Sequence, residues 1–216
     1  MTVDCALPDS SPLRVGLHSV LLNAGGVGKI QVFHVWRGRV NARNIALAGF
    51  VAAAYAVLVI SLPMISFLLF QVRVADALLM LSTVMGWPAI VGVTLGCFIG
   101  NMLAAPWGSA LLAAIDAVLG SAANFVASYL AYRIAWRKGV RHMVAAAAAE
   151  TLVVSVIVGA YLKFLLEWAF NLEVPVWLSI AGVIPGSVIS IVLLGLPLSM
   201  LVSKHLSSER GKNRNV

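Results

Sequence analysis

Gln71-Val-Arg-Val-Ala-Asp-Ala-Leu78 is the short polar interruption in a chain that is otherwise apolar from Ile45 to Val202. The run before it, Ile45 to Phe70, and the run after it, Ala77 to Ala105, are both greasy enough to enter a bilayer. An ionised Arg or Asp at a bilayer centre costs roughly 2.5–3.5 kcal/mol on insertion scales. Arg73 and Asp76 are therefore expected to be tucked against protein or set at a water-filled mouth. Their spacing of three places them on one helix face, where they can pair.

Composition fixes the class. The 216 residues are 61% hydrophobic and 11% charged, with mean hydropathy +0.98. Soluble domains carry about 25% charged residues, so the chain reads as an all-α integral membrane protein. The net charge of +7 lies in loops and tails around apolar spans. That distribution points to membrane topology rather than to nucleic acid. Cys5 and Cys97 lie in different kinds of segment and the four histidines are dispersed, so neither a disulfide framework nor a metal site is predicted. No cofactor is predicted.

Residues 1–44 form a leader with no apolar run long enough to span and an acidic start unlike a secretory signal. It is expected to be flexible or interfacial. Within it Ala24-Gly-Gly-Val-Gly-Lys29 resembles the end of a phosphate-binding loop. Asn23 and Ile30 stand where that motif needs Gly and Ser or Thr, so nucleotide binding is rejected.

Six apolar segments follow, at about 45–62, 74–85, 89–103, 109–135, 144–170 and 177–202. The first, at 1.5 Å per residue, reaches roughly 27 Å, enough to cross a bilayer; the second and third are short and open to tilted or re-entrant placement. Basic clusters at Arg37, Arg39 and Arg43, at Arg133, Arg137, Lys138 and Arg141, and at Lys204, Arg210, Lys212 and Arg214 all fall on one side if the chain crosses six times. The prediction is a bundle of six transmembrane helices in the plasma membrane, with both termini cytoplasmic. Residues 45–203 form the membrane domain and 204–216 a basic tail.

With that orientation Arg73, Asp76, Asn101, Trp107 and Asp116 gather on the outer half, Asp116 about 12 Å below Gly108 and Asn124 two turns deeper. Asp116 is too short to snorkel and is expected to serve a solute site. Asn101 and Asn124 fit either that site or interhelical hydrogen bonding. Trp107, Trp168 and Trp177 fit an interfacial belt, and Lys163 fits a snorkelling side chain. Glu150 lies nearer the inner side and has no assigned role. Ala48, Ala52 and Ala56 make a small-residue stripe, suited to packing within the bundle or to docking a membrane partner.

The ordered segments Gln71–Leu78, Ile90-Val-Gly-Val-Thr-Leu-Gly-Cys-Phe-Ile-Gly-Asn101, Asp116-Ala-Val-Leu-Gly-Ser-Ala-Ala-Asn124, Ile157-Val-Gly159 and Leu194-Gly-Leu-Pro-Leu198 resemble the QueT-type queuosine-precursor family. Those proteins are substrate-binding S components of energy-coupling factor (ECF) transporters. The chain departs from the family pattern at Asp76, where Glu is usual. It departs again at Val153-Val154, in place of Phe-Asn, and at Ser187, in place of an acidic residue. The resemblance implies a transport subunit rather than an enzyme, working with a transmembrane coupling subunit and an ATPase pair. Arg73, Asp76, Asn101, Trp107, Asp116 and Asn124 would bind the solute, and Ala48, Ala52 and Ala56 would dock the coupling subunit. An S component for another vitamin or heterocycle, and a stand-alone secondary transporter, are the alternatives.

Overall fold

The computed structural model describes residues 41–67 and 71–212, so the leader through residue 40, including the Gly-Gly-Val-Gly-Lys stretch, lies outside the described residues. Among the described residues the chain is helical throughout, with no strand. Helix α1 is Ala42–Ser61, and its first turn is capped by the Asn41 side chain, which accepts from the Arg43 N–H at 3.3 Å. It stops before Pro63, as a residue preceding proline disfavours helix. Helix α2 is Val74–Met85, α3 Trp87–Ala104, α4 Ala110–Ala135 and α5 Val140–Phe170. Three continuous stretches, Val176–Ser187, Val188–Gly195 and Leu196–Lys212, make up α6. The basic tail thus begins as a helical extension of α6 rather than as a separate segment.

Five of these helices are long and apolar enough to cross a membrane; α2 is the shorter one. It gains length from its winding. Val74–Leu81 is a 3-10 helix and only Ser82–Met85 is α-helical. At about 2.0 Å per 3-10 residue, α2 reaches about 22 Å rather than the roughly 18 Å of an α-helix. The facing stretch of α6, Val188–Gly195, is underwound instead, as a wide π-helix. The Leu196 N–H bonds back to the Ile191 carbonyl, and the widened ladder then meets Pro197, which has no N–H to give. The narrow helix and the wide one touch closely: a Cβ on Gly195 would lie 2.7 Å from the Ala77 carbonyl oxygen.

Solvation is arranged for lipid. Phe50, Leu103, Leu111, Leu152, Leu193 and Leu201 face outward, where hydrocarbon receives them without cost. The inner face of α4 is instead small and polar: Ala113, Ala117, Gly120, Asn124, Ala127, Ser128 and Ala131, at a helical period. With no hydrophobic drive between helices in lipid, such surfaces associate by close packing and internal hydrogen bonds. The α1–α3 contact is the tightest case. Cβ atoms added at Gly92 and Gly96 would lie 2.8 Å from the Ala48 carbonyl oxygen and 2.6 Å from that of Ala52. These contacts rise in number together, so α1 and α3 run in the same direction. Their C-terminal ends, the start of α4 and the end of α5 then meet at one end of the bundle.

The small-residue stripe of α1 is therefore used inside the chain. Ala52 and Ala56 are buried and Ala48 is half-buried against α3, while Gly49 and Ala53 stay on the outside.

Candidate solute site

Where α1, α3, α4 and α5 meet, two buried carboxylates are held by hydroxyl and indole donors. Asp76 stands in the first turn of α2, where the helix N-terminus favours an anion. Its Oδ1 accepts from the Tyr55 hydroxyl of α1 at 2.5 Å, and the Asn124 side chain of α4 donates to that same hydroxyl oxygen at 2.8 Å. One carboxylate thus ties three helices together. Asp116, in the second turn of α4, accepts from the Trp107 indole at Oδ2 and from the Tyr161 hydroxyl of α5 at Oδ1, each at 3.0 Å. Asn101, near the end of α3, donates its Nδ2 to the Asp116 backbone carbonyl at 3.3 Å.

Arg73 does not pair with Asp76 as the spacing predicts. The three-residue rule needs both partners inside one helix, and Arg73 is the residue before α2, with φ −87° and ψ 88°. Its guanidinium turns instead toward Cys97 of α3, Nη1 lying 3.9 Å from the sulfur, and covers the Phe67 ring at 5.2 Å. Only 5% of the residue is exposed, its Nε has no partner among the described residues, and no ion pair reaches it. The buried guanidinium thus contacts a thiol and a ring and makes no direct ion pair among the described residues, while Asp76 lies near enough to act on it through its charge.

An aromatic rim closes this end. The Trp107 ring meets Phe67 edge-on at 6.1 Å and Phe170 at 6.0 Å. Trp107 is 3% exposed and packs into this cluster, whereas Trp168 and Trp177 are exposed at 61% and 69%, as an interfacial belt requires. Lys163 pairs with Glu167 at 3.8 Å on the half-exposed surface of α5. Gly120 of α4 lets the polar side chains pack close to its backbone: a Cβ there would lie 2.8 Å from Asn101 Nδ2, 3.1 Å from the Tyr161 hydroxyl and 3.5 Å from Cys97 Sγ.

Residues 45–204 match the family model of the QueT transporter. The chain belongs to the QueT transporter family. No curated protein and no solved structure matched it. A QueT transporter is a multi-pass membrane protein with a transport role, consistent with the five span-length helices.

The six residues expected to bind a solute lie in this buried polar cluster, but with divided work. Asp76, Asn124, Trp107 and Asp116 spend polar atoms on one another and on two tyrosines, whereas Arg73 Nε and Asn101 Oδ1 remain unpartnered. Tyr55, Phe67, Cys97, Gly120 and Tyr161 complete the site and were not singled out from the sequence. A phenol in the middle of an apolar span was the available signal, because a buried tyrosine hydroxyl needs a partner. Glu150 stands apart: it is fully buried on α5 beside Ser82, and neither carboxylate oxygen has a hydrogen-bond partner among the described residues.

Proposed function

We propose that the chain is the substrate-binding S component of an ECF transporter and imports a queuosine or 7-deazaguanine precursor. In this reading α2 counts as the sixth pass, both termini are cytoplasmic, and the Arg73–Asp76–Asn101–Asp116 end opens outward. The observation that carries it is that buried polar cluster under a rim of Phe67, Trp107 and Phe170, in a chain of this family. A flat heterocycle would lie against the ring surfaces, and polar groups left unpaired in hydrocarbon would be met by its edge. Buried groups without partners cost about 1–3 kcal/mol each, so apolar analogues would be refused.

A transmembrane coupling subunit and two ATPases would supply the energy. Their contact on α1 would run along the outward Gly49 and Ala53 rather than the inward Ala52 and Ala56. An S component for another small heterocycle is the second reading, favoured by Asp76, Val153-Val154 and Ser187 where the family pattern differs.

Mass spectrometry of the solute retained through purification, followed by calorimetric titration with 7-deazaguanine derivatives, tests the proposal. A 7-deazaguanine compound that co-purifies and binds supports it, and a retained vitamin replaces it with the second reading. Uptake by the isolated chain without ATPase partners would sink the S-component assignment.

A further inference from the structure

At the end of the bundle away from Asp76 and Asp116, a cavity of about 380 Å³ opens among the ends of α2 and α4, the start of α5 and the extension of α6. That volume falls within the roughly 300–1,000 Å³ of small-molecule sites. Arg137 and Lys138, in the turn between α4 and α5, supply its cations, and no Asp or Glu is among its lining residues. Val84, Met143 and Leu206 supply an apolar wall. The turn is held in place. Trp136 sets its ring against the start of α3, where a Cβ on Gly86 would lie 2.8 Å from it, and Tyr132 backs the ring at 5.0 Å. The Arg137 guanidinium lies over that ring at 5.4 Å, and the Lys138 N–H donates to the Ala135 carbonyl at 2.9 Å. Arg137 takes φ 57°, in the left-handed region that side chains disfavour. Neither cation has an ion pair among the described residues.

We infer that this cavity is a binding site for the headgroup of an anionic phospholipid. Its phosphodiester is held by Arg137 and Lys138, and its glycerol backbone lies against Val84, Met143 and Leu206. A planar guanidinium can donate to two phosphate oxygens at once, and the ammonium adds a further donor. A lipid suits the place better than a soluble anion. Val140 and Val144, on the first turns of α5, are 55% and 49% exposed, so hydrocarbon-facing surface begins beside the two cations. A zwitterionic choline lipid suits it less, because its quaternary ammonium would bring another positive charge to a cavity lined by no carboxylate. The inference goes beyond solute transport and rests on the proposed topology only for the leaflet: this end is then cytoplasmic, the side rich in anionic lipid.

The test is native mass spectrometry of the purified full chain in detergent, titrated with dioleoyl phosphatidylglycerol or dioleoyl phosphatidylcholine. This readout is independent of sidedness and of the solute. The glycerol lipid is expected to bind at least about 10-fold more tightly, as each basic group near an anionic lipid contributes severalfold. Arg137→Gly combined with Lys138→Gln should abolish that preference while keeping the turn, because glycine suits the left-handed backbone. Arg43→Gln combined with Arg133→Gln removes the same charge from residues outside the cavity lining and should leave the preference intact. No preference in the unaltered protein, or an equal loss in both double variants, overturns the site. Displacement of the glycerol lipid by an equal concentration of inorganic phosphate overturns the lipid assignment in favour of a free phosphate anion.

Discussion

Asp116 and Glu150 are both buried carboxylates, yet they stand in opposite positions. Asp116 accepts from Trp107 and Tyr161 and so organises the rim and the α5 wall. Replacing it with Ala strands both donors, each at about 1–3 kcal/mol. Asp116→Ala is expected to lower the melting temperature and to weaken solute binding at least 10-fold, roughly 1.4 kcal/mol, while the chain still inserts; unchanged calorimetric affinity would remove Asp116 from the site. Glu150 has two oxygens and no hydrogen-bond partner for either among the described residues. Glu150→Met keeps the volume and removes both unmet groups, so thermal unfolding in detergent should shift upward, as replacement of buried ionic groups by packed apolar ones often stabilises. A downward shift would mean that Glu150 holds something essential. Gly120→Ala should fold, because the added methyl meets the ends of the Asn101 and Tyr161 side chains rather than backbone. It should weaken solute binding roughly 10-fold by displacing those two side chains, at a cost of about 1–3 kcal/mol for overpacking; equal affinity to the parent would show that their placement does not matter to the solute.

At the scale of elements, the unusual pair is α2 and α6. An eight-residue 3-10 stretch lengthens the twelve-residue α2 toward a span, and a π-helix beside it widens to receive it. Their approach depends on Gly186 and Gly195. A Cβ on Gly186 would run into the Gln71 carbonyl oxygen, which no rotamer relieves because the obstacle is backbone. Gly186→Ala is expected to displace the segment leading to Arg73, costing about 1–3 kcal/mol in stability and most of the solute binding. A thermal-shift assay with and without solute checks both parts, and a variant with native stability and affinity would refute the close packing. The second apolar segment was legible in the sequence over residues 74–85, because Gly86 and the Arg73 interruption bound it. Its winding was not legible, since 3-10 and π registers answer to the neighbouring helix rather than to local propensity.

For the whole molecule, lipid reverses the usual sorting: bulky apolar side chains face out and small or polar ones face in. The chain's basic clusters set the expected side of each end. Single-cysteine variants at Lys138 and at Leu172, made with Cys5 and Cys97 replaced by Ser, should react with an impermeant maleimide from opposite sides of intact cells. Leu172→Cys should label from outside and Lys138→Cys only after permeabilisation. Labelling of both from the same side would break the alternating passage of α4, α5 and α6 assumed in the proposed topology.

The sequence alone determined the class, the apolar spans and the family, since each depends on hydrophobic runs and motif order that survive without a fold. It also marked Arg73, Asp76, Asn101, Trp107, Asp116 and Asn124 as polar residues in need of a reason. Only the tertiary structure decided which of them are partnered. Tyr55 meets Asp76 across 21 residues, Tyr161 meets Asp116 across 45, and Asn124 meets Tyr55 across 69. Hydropathy places a segment in the bilayer but leaves its rotation about its own axis open. That rotation is set by close packing such as Gly96 against Ala52, while the start of α2 at Val74 leaves Arg73 outside the helix with its guanidinium on Cys97.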